Sequence, residues 1–229
     1  MGEFFALAPV LLSSIVIAYI LGALPLADQI SRRHGVDIFS TGSGLAGASN
    51  VLRSVGKVPA LLVILGDLGK GSIALIVAGL MGVDGGLIML PLAAAVVGHW
   101  RSIFSGLRGG DGLAVVGGAA IPLFGVVGVL SIVVTMVVAL GAQKLPYSSL
   151  LGIVFGYATI VALKGNIDGA TVLILGYGGM AGLVLAYALV GHRRRRQVVQ
   201  WDNDSDEPLD DDWNGLEPAD GTAEQSGIR

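Results

Sequence analysis

The sequence of 229 residues contains no cysteine and few charged residues. Because disulfide bonds and thiolate metal sites both need cysteine, neither can support this fold or its chemistry. The three histidines lie far apart, at 34, 99 and 192, which argues against a histidine-based metal site. Charged residues make up 14% of the chain, whereas about 25% is usual in soluble domains. The composition therefore excludes an ordinary soluble enzyme.

Apolar residues are abundant, at 53% of the chain, and the mean hydropathy is +0.77. A helix needs roughly 20 mainly apolar residues to cross a bilayer. Six apolar runs are evident, at about 4–27, 58–80, 86–100, 122–140, 146–163 and 168–191. The 36 glycines would let neighbouring helices approach closely in lipid. The sequence therefore predicts an all-α membrane protein, and the first run lacks the basic flank and cleavage site of a signal peptide.

The distribution of basic residues requires a seventh crossing. With six spans, Arg32, Arg33 and the rest of the basic 28–57 loop would lie opposite the RRRR run at 193–196, although such residues tend to stay cytoplasmic. The short apolar stretch 112–121 supplies the missing span, and we expect Pro122 to separate it from the next helix. The prediction is seven transmembrane helices, one of them short, with the N-terminus outside and the polar loops in the cytoplasm.

The end of the chain differs in composition from the rest. Residues after 200 are acidic and carry too few apolar side chains to build a core. We expect a membrane domain at 1–197 and a disordered acidic tail at 198–229. The RRRR run between them is expected to anchor the last span at anionic lipid headgroups.

A first polar cluster, GSGLAGASNVLR, occupies residues 42–53 between two apolar runs. Gly42, Gly44 and Gly47 allow unusual dihedral angles and close approach to a ligand, so successive amides could form a concave anion site. Side-chain donors in the same stretch are Ser43, Ser49, Asn50 and Arg53. The cluster is either an oxyanion site or a turn of small residues that joins two helices.

A second polar cluster, GHWRSIFSGLRGGDG, occupies residues 98–112. Gly109 and Gly110 precede the short apolar helix, and a glycine-rich entry to a helix N-terminus suits phosphate. Arg108 could add a bidentate contact. Asp111 stands at the expected helix start, where a carboxylate is a good cap and would compete with a bound anion for the same amides.

Two ionisable residues lie inside the second apolar run. Asp67 and Lys70 are three residues apart, close enough to pair on a helix. Such groups are costly in a membrane and indicate function by default, but a structural ion pair between helices is an equal alternative. His99 has a similar ambiguity between a hydrogen-bonded structural residue and a base.

Three segments of the sequence match the motifs of a known protein family in the same order along the chain. The first cluster matches GSGNxGATNxxR, the ion-pair segment matches D-x-x-K-G through Gly71, and residues 98–112 align without a gap to GHxxPxFxxFKGGKG. Of a third motif, HRxNIxRL, only His192 and Arg193 are present. From about residue 15 to 197, the sequence resembles the bacterial integral-membrane glycerol-3-phosphate acyltransferases that use acyl phosphate.

The resemblance implies an activity and its partners. The hydroxyl of glycerol 3-phosphate would attack acyl phosphate directly, giving lysophosphatidic acid and phosphate without an acyl-enzyme, a metal or another cofactor. The site would lie at the cytoplasmic side of a bacterial inner membrane, in contact with membrane lipid, and no nucleic acid is expected as a partner. Such catalysis works by positioning and neutralising two anions.

The resemblance also implies roles for individual residues. The residues expected to act on the reacting groups are Ser43, Asn50, Arg53 and His192. The residues expected to bind substrate are Gly42, Gly44, Gly47, Ser49, His99, Arg108, Gly109, Gly110, Asp111 and Gly112. Asp67 and Lys70 are expected to be an ion pair or part of the site.

Several positions depart from the family pattern, namely Leu45, Ala46, Ser102, Arg195, Arg196 and Asp111. Asp111 stands in place of a lysine. At a few ångströms and an effective dielectric near 20, each charge contact changes by roughly 4 kcal/mol. Either nearby arginines compensate, or the chain is an impaired paralogue that binds lipid phosphates or a partner enzyme. A small transporter is a third hypothesis, although no internal repeat is visible.

Overall fold

The computed structural model describes residues 2–142, 144–145, 148–167 and 169–205. The chain divides into two units, Met1–His192 and Arg193–Arg229, and the bundle lies in the first. The described part is helical and contains no strand, only an isolated bridge between Ser102 and Arg108. Its α-helices are α1 (Gly2–Ala23), α2 (Leu26–Arg33), α3 (Ala48–Ser54), α4 (Lys57–Leu80), α5 (Met89–Trp100), α6 (Leu113–Phe124), α7 (Val126–Gly141), α8 (Ser148–Lys164) and α9 (Ala170–Ser205), with 3₁₀ turns at Gly85–Ile88 and Ile103–Ser105.

Seven apolar segments are present in this described part of the chain. Three are long and apolar enough to cross a bilayer, namely Leu7–Arg33, Lys57–Leu80 and Ala170–Val190. Four are shorter, namely Gly85–Trp100, Leu113–Phe124, Val126–Gly141 and Ser148–Lys164. The predicted helical class is confirmed, and the number of apolar segments equals the number of predicted spans.

The predicted break at Pro122 is wrong. Pro122 lies inside α6, which continues to Phe124 and ends at Gly125, whose φ is 63°. A proline leaves the carbonyl four residues earlier without its helical donor, and here that carbonyl belongs to Gly118. The hydroxyl of Ser72 on α4 donates to this oxygen at 2.7 Å. A side chain from another helix therefore replaces the hydrogen bond that the proline removes.

The two ends of the chain also differ in detail from the expectation. The first span ends at Ala23, and Leu24 and Pro25 separate it from the short helix α2. At the other end, α9 extends to Ser205 and so includes the first residues of the segment expected to be disordered. Residues after 205 lie outside the described part, and their disorder stays a prediction.

Glycines bring pairs of helices into backbone contact. A Cβ at Gly71 of α4 would overlap the backbone of Val115 on α6, and one at Gly118 would overlap Leu68 in return. On α5, Gly98 meets the backbone of Tyr19 on α1 in the same way. Close approach at small residues is how helices gain packing energy in lipid.

Besides the main core between the helices of the bundle, a smaller core lies at one end of the bundle. We call this end the loop end. It contains the buried residues Ala27, Ile38, Ala46, Val51, Ala60 and Val63, from α2, α3, the start of α4 and the segment between α2 and α3. The hydroxyl of Ser102 donates to the carbonyl of Ala23, and that of Tyr19 donates to the carbonyl of Arg101 at 2.9 Å. These contacts hold the two polar clusters against the ends of the helices.

Gly71→Ala should destabilise the bundle by about 1–3 kcal/mol, because the added methyl group forces α4 and α6 apart. Gly79→Ala is the matched control, since it lies on the same helix with open space at its Cβ; the control should be neutral or slightly stabilising. Thermal unfolding in detergent micelles measures both. Equal melting temperatures for the two variants would contradict the close crossing.

Candidate functional site

A groove of about 770 Å³ runs between α4, α6, α7, α8 and α9. Its walls are mainly apolar and include Leu61, Ile64, Leu68, Val116, Ile132, Met136, Ala139, Leu140 and Ile153. Ser49, Arg53, Lys57 and Asp111 lie along it at the loop end, which we call the mouth of the groove. The groove therefore combines a long apolar channel with a charged entrance, an arrangement suited to an amphiphile with an anionic head.

The positive charge at the mouth comes from two neighbouring elements. Arg53 is in the last turn of α3, and Lys57 begins α4. Gly56 joins the two helices with a φ of 146°, a conformation that a residue with a Cβ rarely adopts. Both cationic side chains are exposed and available to a ligand. A guanidinium and an ammonium at one entrance favour a phosphate or carboxylate there.

Asp111 brings a negative charge to the same entrance. Its Oδ1 accepts the N–H of Leu113, the first residue of α6, at 3.1 Å, although the N-cap position expected for it is taken by Gly112. Its main-chain carbonyl accepts the indole N–H of Trp100 at 2.7 Å. The carboxylate therefore occupies an amide that a bound anion could otherwise use.

Asn50 organises the first polar cluster from within. It is buried, and its Nδ2 lies 2.9 to 3.1 Å from the carbonyl oxygens of Ile38, Thr41 and Leu45. Its Oδ1 accepts the N–H of Ser43 at 3.3 Å. The amide group is thus committed to the loop, and its structural role is to shape the segment before α3.

Asp37 begins a turn whose Ile38 and Thr41 carbonyls accept hydrogen bonds from Asn50. The Ser40 hydroxyl donates to its carboxylate at 2.7 Å and the Phe39 N–H at 3.1 Å. These hydrogen bonds, with the hydroxyl contributing most, lower the pKa of Asp37 from its usual value. Because the folded pKa is depressed, this stabilisation is present above the unfolded pKa of about 3.9 and is lost as the pH falls through the folded value.

A small polar cavity lies beside the groove. Lys70 Nζ is 2.7 Å from Asp67 Oδ1, and His99 Nδ1 is 3.9 Å from the same oxygen, with all three side chains buried. The cavity has a volume of about 10 Å³, about the space that one water molecule needs. Asp67 also lines the groove, so it is the point where the two spaces meet.

Gly109 and Gly110 join the two polar clusters. The Gly110 N–H donates to the carbonyl of His99 at 3.2 Å, and the Gly109 carbonyl accepts the N–H of Ala46 at 3.1 Å. A Cβ at Gly110 would overlap the His99 ring and the Ala46 carbonyl. The glycine pair therefore serves backbone contact between the clusters.

Arg108 lies outside the groove. Its guanidinium is over the ring of Phe39, 4.3 Å from the centroid, and its Nε donates to the carbonyl of Ser105 at 3.4 Å. The stacking fixes the side chain beside the small cavity.

The residues expected to form the site occupy two places. Gly47, Ser49, Arg53, Asp67 and Asp111 line the groove, whereas Asp67, Lys70, His99, Arg108, Gly109 and Gly110 line the small cavity. Gly42, Ser43 and Gly44 belong to the loop that Asn50 holds, and Gly112 precedes α6 with a φ of 86°. The side chain of His192 lies outside the described residues.

Sequence reasoning did not include Lys57 among the site residues, although the structure places it at the mouth of the groove. The signal was available, because a Gly-Lys pair at 56–57 follows the first polar cluster after two residues.

Comparison with known proteins identifies the family. The sequence model described as glycerol-3-phosphate acyltransferase matches residues 12–200. The chain belongs to this family. Glycerol-3-phosphate acyltransferase 1 of Deinococcus radiodurans is 36% identical over 165 residues, covering 72% of this chain and 83% of the relative. The enzyme of that name from Laribacter hongkongensis is 36% identical over 193 residues, covering 82% and 90%.

Solved structures agree with this assignment. The crystal structure of PlsY (YgiH), an integral membrane glycerol 3-phosphate acyltransferase, in its glycerol 3-phosphate form matches with a TM-score of 0.65 and 25% identity. It covers 84% of this chain and 92% of the solved one. The lysophosphatidic acid form matches with a TM-score of 0.62 and 26% identity. The resemblance, the acyltransferase class and the multi-pass membrane character expected from the sequence are confirmed.

Lys70→Met should destabilise the protein by about 3–5 kcal/mol, because it leaves the Asp67 carboxylate buried without its partner. The double variant Asp67→Leu/Lys70→Met should recover much of this loss, since it removes both charges. Thermal unfolding in the same detergent compares the two. A single variant as stable as the wild type would show that Lys70 does not neutralise Asp67.

Proposed function

We propose that this chain transfers a fatty acyl group from acyl phosphate to the 1-hydroxyl of glycerol 3-phosphate, giving lysophosphatidic acid for phospholipid synthesis. The observation that carries the proposal is the groove, which is apolar along its walls and has Arg53 and Lys57 at its mouth. Relatives and solved neighbours named as glycerol-3-phosphate acyltransferases support the same acceptor.

The proposed topology places the loop end on the cytoplasmic side of a bacterial inner membrane. Seven crossings put the N-terminus outside and bring the basic segments to one side. The helix α6 has 12 residues, about 18 Å at 1.5 Å per residue, which is less than the ~30 Å core. Val115, Val116, Ala119 and Ala120 are almost fully buried, so protein surrounds this helix where lipid would not satisfy its ends. Residues 1–197 are proposed as the membrane domain and 198–229 as its acidic tail.

The donor is proposed to bind with its acyl chain along the groove and its phosphate at the mouth. The apolar walls can replace the lipid that surrounds the chain in the bilayer, and a guanidinium can hold two phosphate oxygens at once. Arg53 is placed to make that contact, with Lys57 beside it and the Ser49 hydroxyl further along the same entrance.

The chemistry requires little from the protein beyond placement and charge. The acceptor hydroxyl attacks the acyl carbonyl, the bond to phosphate breaks, and the phosphate leaves. Because acyl phosphate is already activated, no enzyme nucleophile has to form a covalent intermediate. Holding two anions together and neutralising them is therefore the main contribution of the site.

A second candidate function rests on Asp111. Its carboxylate lies at the mouth and already binds the Leu113 amide, so it opposes a dianionic substrate there. A paralogue of low activity that binds lipid phosphates or a partner enzyme would fit this charge.

Arg53→Gln should lower kcat/KM for acyl phosphate by about tenfold to a hundredfold, the loss expected for a hydrogen bond to a charged group. Release of inorganic phosphate from acyl phosphate and glycerol 3-phosphate by the purified protein in lipid measures the rate. Arg33→Gln is the matched control, because Arg33 is an exposed arginine of α2 outside the groove. Equal rates for both variants would remove Arg53 from the site.

Asp111→Asn should lower KM for acyl phosphate several-fold at low salt and leave the melting temperature unchanged. The amide keeps an oxygen for the Leu113 N–H but removes the charge that repels phosphate. Asp111→Lys tests the second candidate in the same phosphate-release assay. Turnover that exists only in this lysine variant would identify the wild type as the impaired paralogue.

A further inference from the structure

The groove stops in the middle of the bundle. Starting from the loop end, its lining reaches Leu68 on α4, Gly117 on α6 and Tyr157 on α8, and each of these helices continues for several residues beyond. On α7 and α9, the corresponding limits are Ser131 and Tyr177. The far half of the bundle contributes nothing to the walls. The groove therefore has an inner end at the level of Tyr157 and Tyr177, which we call the floor.

The depth of the groove matches one leaflet of a membrane. Lys57 at the mouth and Leu68 near the floor are eleven residues apart on α4, which is about 16 Å along a helix. Ser148 and Tyr157 on α8 are nine residues apart, or about 14 Å. Half of a ~30 Å hydrocarbon core is about 15 Å. An acyl chain of ordinary membrane length would thus reach the floor.

An aromatic block forms the floor. Tyr177 is 7% exposed, and its ring meets Phe124 edge-on at a centroid distance of 5.5 Å. It also stacks with Tyr157 at 6.5 Å. The Tyr157 hydroxyl donates to the carbonyl of Ile174 at 3.1 Å. Phe124 supports Tyr177 and the Ile174 carbonyl supports Tyr157. The end of an acyl chain cannot displace either tyrosine without breaking these contacts.

We propose that Tyr157 and Tyr177 set the longest acyl chain that this enzyme accepts. The inference rests on the proposed function, because it assigns the groove to the acyl chain of the donor. A chain that fits the groove keeps its phosphate at the mouth, whereas a longer chain meets the floor and must give up either the phosphate contact or its place in the groove. Chain length is then selected by the distance between the cationic mouth and the two rings.

Two variants move the floor in opposite directions. Tyr177→Ala opens space beyond the present end, so the longest efficient substrate should become at least two carbons longer. Gly117→Val fills the channel before the floor, because the Cβ alone would lie 3.3 Å from Leu68 Cδ2, and should shorten it. Tyr177→Phe retains the ring and should keep the wild-type profile. Gly179→Ala on α9 is a further control, since its Cβ meets open space and it does not line the groove.

The experiment measures kcat/KM for saturated acyl phosphates of increasing length, from 12 to 20 carbons, at a fixed concentration of glycerol 3-phosphate. The ratio of the longest to the preferred substrate should rise at least tenfold in Tyr177→Ala and fall by a similar factor in Gly117→Val. If both variants keep the wild-type length profile, the chain leaves the groove sideways into lipid and the proposal is overturned.

A binding measurement separates this inference from the proposed function. Inert acyl phosphonates of the same lengths should raise the melting temperature of the wild type most at one length, and Tyr177→Ala should move that maximum to longer chains. No turnover with a moving maximum would reject the proposed function and retain the floor. Turnover with a maximum that does not move would retain the function and reject the floor.

Discussion

The crossing of α4 and α6 is the constraint on which the site depends. Lipid offers no hydrophobic force between helices, so these two gain their stability from backbone contact at Gly71 and Gly118. The crossing holds the short helix α6 inside the protein. It also places Asp67 of α4 and Asp111 just before α6 along the same groove.

The polar end of the bundle behaves as one structural unit made from two sequence motifs. A main-chain hydrogen bond from Ala46 to Gly109 joins the clusters without using side chains, and one from Gly110 to His99 closes the second cluster on itself. Asn50 fixes the first cluster from inside. These glycines and this asparagine hold the loops in place. The cationic side chains near the groove, Arg53 and Lys57, are thereby left free to face a ligand.

The sequence was sufficient for the helical membrane class and the seven apolar segments, because these follow from local composition and from the positions of the basic residues. It named Ser49, Arg53 and Asp111 as site residues but not Lys57, which also lies at the mouth. It was insufficient where a distant residue decides the outcome. Pro122 stays in its helix because Ser72 satisfies the free carbonyl of Gly118, a contact between helices that no local pattern reveals. The expected site residues divide between a groove and a small cavity for the same reason, since Arg108 stacks on Phe39, a residue distant in sequence, and lies beside the cavity.

The net charge at the mouth determines how the donor's affinity is divided between its phosphate and its acyl chain. Lys70 neutralises Asp67, so Arg53 and Lys57 against Asp111 leave a net charge of about one at the entrance, where a lysine in place of Asp111 would leave about three. A weaker attraction for phosphate requires that more of the donor's affinity come from its acyl chain. The contacts that supply this share extend as far as the chain fits the groove and end at the aromatic floor. In this chain, Asp111 stands where a lysine would add a cation to the mouth. The distance from the mouth to the aromatic floor therefore matters more for binding of the donor.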